Sequence, residues 1–376
     1  MSTRTTILRS RSLFTGLTAA PCDGIVVLEG ERIAGVGSAQ WQEAFPGADI
    51  RDLGDRTLLP AFHDAHLHLI LGAMSEKGGF LREDRSEEAA ALHFYELNPD
   101  RAGAGEDANP WLLGGAWDHF LWPGGRLPSK GTLDRYFPDR RVFLLNKECH
   151  GAWVNSRALA HFGICKDTPD PPFGRIFRDA DGEPTGYLHE AAAFVMLSRI
   201  LGELPAQGFA EYVGSFAQKA LSYGITAVAD MPISGISSWE VYDALEARGG
   251  LELRIHYCVP FAWSTQEMLR LQRLHKSGTL RFSGAKEFVD GTPMGYTGYM
   301  LEPYSDRQDT CGSPAVDIDF LREKLAELAC AGIRTRLHCC GDRAVRTALD
   351  SIEHAAKRCR DAGQAALGQD GMRLAA

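Results

Sequence analysis

The chain reads as an α/β protein, a (β/α)8 barrel preceded by a small β domain. Three observations predict this. From Thr57 onward, apolar strand-like runs alternate with amphipathic helical stretches, the pattern of successive βα units. Five of those runs end in polar residues, as the functional face of a barrel requires. Residues 1–56, by contrast, carry β signals alone.

In order, Thr6 to Phe14 predicts a strand, and GIVVLEGERIAGVG (Gly24 to Gly37) a hairpin turning at Gly30 and Glu31. The barrel portion, 57–376, offers strands at Thr57 to Ala65, Ile225 to Met231, Arg254 to Phe261, Phe282 to Val289 and Ile333 to Cys339. Helices over Gly208 to Tyr223 and Ile318 to Ala331 precede two of them. Residues 76–207 form a long insertion between the first two strands and hold four of the seven tryptophans, Trp111, Trp117, Trp122 and Trp153. Loops this long on the C-terminal face of a barrel usually build or cover the pocket, so we read the insertion as a lid, with a separate satellite core as the alternative.

The strongest chemical signal is in TLLPAFHDAHLHLILGA (Thr57 to Ala73), where His66 and His68 end an apolar run. Side chains at i and i+2 of a strand leave on one face, so the two imidazoles can converge on a metal ion. Asp64 shares their parity and could orient an imidazole; His63 should point away. In RFSGAKEFVDGTPMG, Lys286 sits inside an apolar strand with Asp290 at its end. A lysine buried there is costly alone. It is neutral with a shifted pKa, or paired with Asp290 or another carboxylate, or converted by carbon dioxide to a metal-bridging carbamate; chemistry alone favours the ion pair. His338 repeats the placement of the first histidines: strand terminus, apolar approach, turn immediately after. Adjacent Cys339 and Cys340 should face opposite ways and read as structural. In the following helix Val345, Ala348, Leu349, Ile352, Ala355 and Cys359 form the apolar stripe, and His354 falls about 200° from Ile352, facing away from the barrel.

Composition narrows the partners. A net charge of −9 argues against nucleic acid, which needs a basic face. No apolar run approaches a membrane span, so no membrane partner is expected. Nine cysteines without paired spacing suggest reduced thiols and a cytoplasmic location.

Taken in order, PAFHDAHLHL, GGAWDHFLWPGGRLP, ECHGAWVNSRAL, GITAVADM, AKEFVDG and LHCCGDRAV resemble the amidohydrolase superfamily, family 3, the group that includes N-substituted formamide deformylase. The resemblance covers nearly the whole chain. It implies a TIM-type metallo-hydrolase barrel joined to a β-sandwich portion, here 1–56. It implies His66, His68 and His338 as ligands of one or two divalent metal ions, with zinc the expected metal and Lys286 a carbamylated bridge. Trp117, His150 and Asp290 become the candidate substrate-binding residues, and the implied substrate is a small amide-type molecule. The family pattern continues beyond the helix after His338, whereas CRDAGQAALGQDGMRLAA shows no strand signals. The expectation is therefore a C-terminally incomplete barrel lacking a last histidine ligand and a catalytic aspartate, with no residue assignable as catalytic. An open barrel edge would favour self-association. The function expected is hydrolysis of non-peptide carbon–nitrogen bonds. Its rivals are an inactive relative with partial metal binding or an interaction role, and, fitting less well, a mononuclear deaminase.

Overall fold

The computed structural model describes residues 4–98, 111–204, 206–232, 239–362 and 372–375. The chain divides into two units, Met1–Phe62 and His63–Ala376. The first holds β1 (Thr5–Leu13), β2 (Cys22–Glu29), β3 (Arg32–Gly37), β4 (Asp49–Asp52) and β5 (Thr57–Leu58). They form a single mixed sheet in the order β3-β2-β1-β4, with β5 continuing beside β1, where a sandwich was expected. The predicted hairpin is there, turning at Gly30, whose φ of 61° lies in the left-handed region that glycine enters without strain. Ile7, Ile25 and Val27 are fully buried in a small core with Phe45 and Ala48 packed against it.

The predicted strand Thr57 to Ala65 is split. Thr57–Leu58 pairs with β1, Pro60 supplies no N–H for a ladder, and a second strand, β6 (Phe62–Leu67), opens the other unit. After α1 (Leu69–Gly78) comes the insertion: α2 (Glu87–Leu97), β7 (Trp111–Trp117), α3 (Lys130–Tyr136), β8 (Arg141–Asn146), β9 (Gly151–Val154), α4 (Ser156–His161), β10 (Gly174–Arg178), β11 (Pro184–Glu190) and α5 (Ala191–Glu203). Its five strands make a sheet of their own, order β10-β11-β9-β8-β7. Trp117, Trp122 and Trp153 pack with Phe94, Phe137 and Tyr187 in a core separate from the main one. The satellite reading thus holds for these tryptophans. The opposite end of the same sheet reaches the cavity described below.

The remaining elements alternate: α6 (Ala206–Ser222), β12 (Ile225–Asp230), α7 (Trp239–Ala247), β13 (Arg254–Pro260), α8 (Thr265–Leu274), β14 (Leu280–Phe288), α9 (Ile318–Cys330), β15 (Thr335–His338), α10 (Asp342–Asp361) and β16 (Met372–Ala375). The sheet runs β6-β12-β13-β14-β15-β16, in chain order, and its four pairings from β12 to β16 are parallel. Neighbouring strands in chain order are what a sheet wound in one direction gives. The strand β16 corrects the reading of the tail as lacking strand signals: four residues beside β15, Thr335↔Met372 to His338↔Ala375, are too few to show a period. On α10 the buried face is Ala344, Ala348, Ser351, Ala355 and Cys359, a rotation from the expected stripe that leaves Leu349 41% exposed. His354 lies off that face, 3.4 Å from Glu323 of α9.

Candidate metal and substrate site

His66 lies in β6 and His68 just past its end, at the start of α1, with ring centroids 5.6 Å apart. His68 Nδ1 is 3.0 Å from the Met231 carbonyl, which only accepts, so Nδ1 carries the proton and Nε2 keeps its lone pair. Burial, then the charge of Lys286, pushes His68 down to about 3; the same two causes lower His66. His338, ending β15, is pushed down to about 4, chiefly by burial and then by the charge of Lys286. Both His68 and His338 are therefore neutral at pH 7, the form that can bind a metal.

Lys286 in β14 is the charge felt by all three of these imidazoles. Its side chain is 2% exposed, Nζ has no hydrogen-bond partner among the described residues, and it rests 4.3 Å from the Phe288 ring centroid. Burial lowers it to about 8. The favoured ion pair with Asp290 does not form. Asp290, fully buried beyond the end of β14, accepts instead from the backbone N–H groups of Tyr299 (2.8 Å), Cys340 (2.9 Å) and Gly341 (2.7 Å). Three donors from two loops occupy the carboxylate, and burial still raises its pKa.

Other expectations also shift. Asp64 accepts from the backbone N–H of its own neighbour His66 and orients no imidazole. His63 stands edge-on to His256, away from the pair. Cys339 is buried and Cys340 exposed, on opposite faces as alternation requires, yet Cys340 Sγ comes within 3.2 Å of His338 Nε2. Asp230, at the end of β12, was not foreseen: it accepts from Leu69 N–H and from the Tyr242 hydroxyl, both at 2.8 Å, and burial raises it to about 7. Among the described residues no three His, Cys, Asp or Glu side chains surround one point. A lysine-derived ligand is outside that set of donors, and Lys286 is the group that influences all three imidazoles.

Lys286 and Asp290 also line a cavity of about 480 Å³, together with Glu287 from β14 and His150 and Glu190 from the insertion. His66, His68 and His338 are not among its lining residues. Glu287 is raised to about 7, mainly by burial. His150 Nδ1 is 2.9 Å from Glu190 Oε2, and the Thr297 hydroxyl is 3.0 Å from Glu190 Oε1. Burial opposes ionisation of Glu190, but the His150 and Thr297 contacts outweigh it and hold the carboxyl below its ordinary value. Trp117 is absent from this wall. It is fully buried in the satellite core with Nε1 donating to the Leu144 carbonyl at 2.9 Å, so its large apolar surface packs rather than contacts a ligand. Sequence reasoning missed Glu190 and Thr297; the only local signal was the pair His189 and Glu190 in the otherwise apolar run GYLHEAAAF.

The amidohydrolase family profile matches residues 49–372. The chain belongs to the amidohydrolase family. It is 27% identical over 363 residues to the Arabidopsis thaliana protein LONG AFTER FAR-RED 3, covering 93% of this chain and 61% of that one. It is 27% identical over 355 residues to the N-substituted formamide deformylase of Arthrobacter pascens, covering 88% and 62%. The chain thus spans about three-fifths of these relatives. An uncharacterized metal-dependent hydrolase from Pyrococcus furiosus superposes with a TM-score of 0.69 at 27% identity, over 93% of this chain and 70% of that one. The family and this likeness agree with the α/β layout of the second unit. Among the described residues no helix is long and apolar enough to cross a membrane.

Proposed function

We propose that this amidohydrolase is a metal-dependent hydrolase that cleaves amide-type, non-peptide carbon–nitrogen bonds of small molecules. The observation that carries the reading is Lys286: a buried, unpartnered amine at a strand end, acting on the imidazoles of His66, His68 and His338 and opening on a cavity. An orphaned buried amine is unfavourable in a closed core and suits a group that acquires a ligand. His66, His68, His338 and Lys286, the last as its carbamate, would hold one or two divalent ions, zinc by the nitrogen-rich donor set. A neutral amine is the form that adds carbon dioxide, and burial raises the neutral fraction of Lys286.

A divalent ion held there would make bound water a nucleophile near neutral pH and polarise a carbonyl. The chain's own contribution is to keep imidazoles neutral, fix His68 through the Met231 carbonyl, and shape a cavity with polar groups at one side. Asp290 holds the loops at the ends of β14 and β15 while it lines the cavity. The nine free cysteines suit a reducing compartment such as the cytoplasm. The test is hydrolysis of a panel of N-substituted formamides, acetamides and aryl amides by the zinc-reconstituted chain beside Lys286→Met. Turnover in the parent that falls by at least about 100-fold in the variant is expected. That no three His, Cys, Asp or Glu side chains surround one point among the described residues favours the rival, an inactive relative with partial metal binding. Zinc bound without turnover of any member of the panel would select that rival.

A further inference from the structure

Among the described residues, four of the five non-glycine residues with left-handed φ gather at one place. Cys149 (61°) precedes His150, Phe173 (59°) lines the cavity, Glu190 (50°) sits at the junction of β11 and α5, and Tyr296 (57°) precedes Thr297. Glu190 has a ψ of −127°, a combination with its φ that a side-chain-bearing residue rarely adopts. It is held there by its N–H bonding the His150 carbonyl at 2.8 Å and by Ala191 N–H bonding the Phe173 carbonyl at 3.2 Å. Although Glu190 begins a helix, its side chain caps nothing. It turns instead to His150 Nδ1, both side chains being only 12–13% exposed. The fit is tight: a Cβ on Gly291 would come 2.2 Å from Thr297 Oγ1 and 2.9 Å from Glu190 Oε1.

A carboxylate only accepts, so Nδ1 of His150 carries the proton in this pair. Its Nε2 has no hydrogen-bond partner among the described residues. In the neutral ring that atom is an acceptor, and His150 lines the cavity. The rest of the wall includes Phe173, Phe194, Phe261 and Phe288, a surface for an apolar or aromatic group.

We propose that His150, oriented by Glu190 and Thr297, accepts a hydrogen bond from the N–H of a secondary amide whose apolar substituent lies against these phenylalanines. Glu190 is then a positioning residue, and its backbone conformation is maintained for that purpose. The inference rests on the amide-hydrolase reading for its ligand class, but not on catalysis.

The test uses the metal-free 376-residue chain and needs no turnover. Nitrogen NMR of ring-labelled histidine, with His150 assigned through His150→Gln, is expected to show a protonated Nδ1 and an unprotonated Nε2, and mixed tautomers in Glu190→Gln. Calorimetry would compare N-benzylacetamide with benzyl acetate, which replaces the N–H by oxygen at nearly the same shape. The parent should prefer the amide by at least about tenfold. That preference should shrink towards one in both His150→Gln and Glu190→Gln, at melting temperatures close to the parent's. A purely structural Glu190 would leave the ratio unchanged in every folded variant, and that result overturns the proposal. So would binding of neither ligand to the parent, or a ring with the opposite tautomer. Selective binding without hydrolysis in the zinc-loaded chain would remove the hydrolase reading and leave this one standing.

Discussion

Lys286→Met is expected to make the metal-free chain more stable while removing its capacity to retain a metal. The parent lysine is 2% exposed, and burial lowers its pKa from 10.5 to about 8. That shift corresponds to roughly 3 kcal/mol against folding at pH 7. Because the folded-state value lies below the unfolded one, the unfolded chain binds more protons between about 8 and 10.5. The penalty is therefore fully present below about 8, and the parent gains stability as the pH rises through that window. Methionine fills much the same volume without a charge and should show no such gain. Urea denaturation of both proteins at several pH values from 7 to 10.5 checks this. A variant less stable than the parent at pH 7 would mean that Lys286 has a partner. Metal affinity should fall by more than the roughly 10–100-fold seen when an outer-shell partner is lost.

Asp290→Ala should destabilise the chain severely, by about 4 kcal/mol or more. Its carboxylate takes up the N–H groups of Tyr299, Cys340 and Gly341, and alanine would leave three buried or half-buried donors without an acceptor. Asp290→Asn keeps one accepting oxygen and should lose about half as much. Equilibrium denaturation measures both. A loss under about 1 kcal/mol for alanine would show that the loops hold themselves and that Asp290 is available for another role.

The parts of this architecture that could be read along the chain are those written locally. The hairpin at Gly30, β12 to β15 and the histidines at the ends of β6 and β15 each follow from a few consecutive residues. What escaped depends on distant segments meeting. Glu190 finds His150 across 40 residues and Thr297 across 107, and no periodicity encodes either contact. The cost of burying Lys286 alone suggested pairing with Asp290, but β14 ends at Phe288 and the loop turns Asp290 toward backbone donors from elsewhere. Trp117 shows the converse: an aromatic residue in an insertion near a site was read as a wall, and the insertion proved to have a core of its own. β16 was missed because strand formation there depends on β15 beside it rather than on local preference.

His66, His68, His338 and Lys286 are proposed to form one metal-binding group. The most direct test of this is metal content per chain, by plasma mass spectrometry on a monodisperse zinc-reconstituted sample, for the parent beside His66→Ala/His68→Ala. One or two zinc ions per parent chain are expected, and essentially none in a folded variant. Equal zinc in both, or none in a folded parent supplied with zinc and bicarbonate, would contradict it.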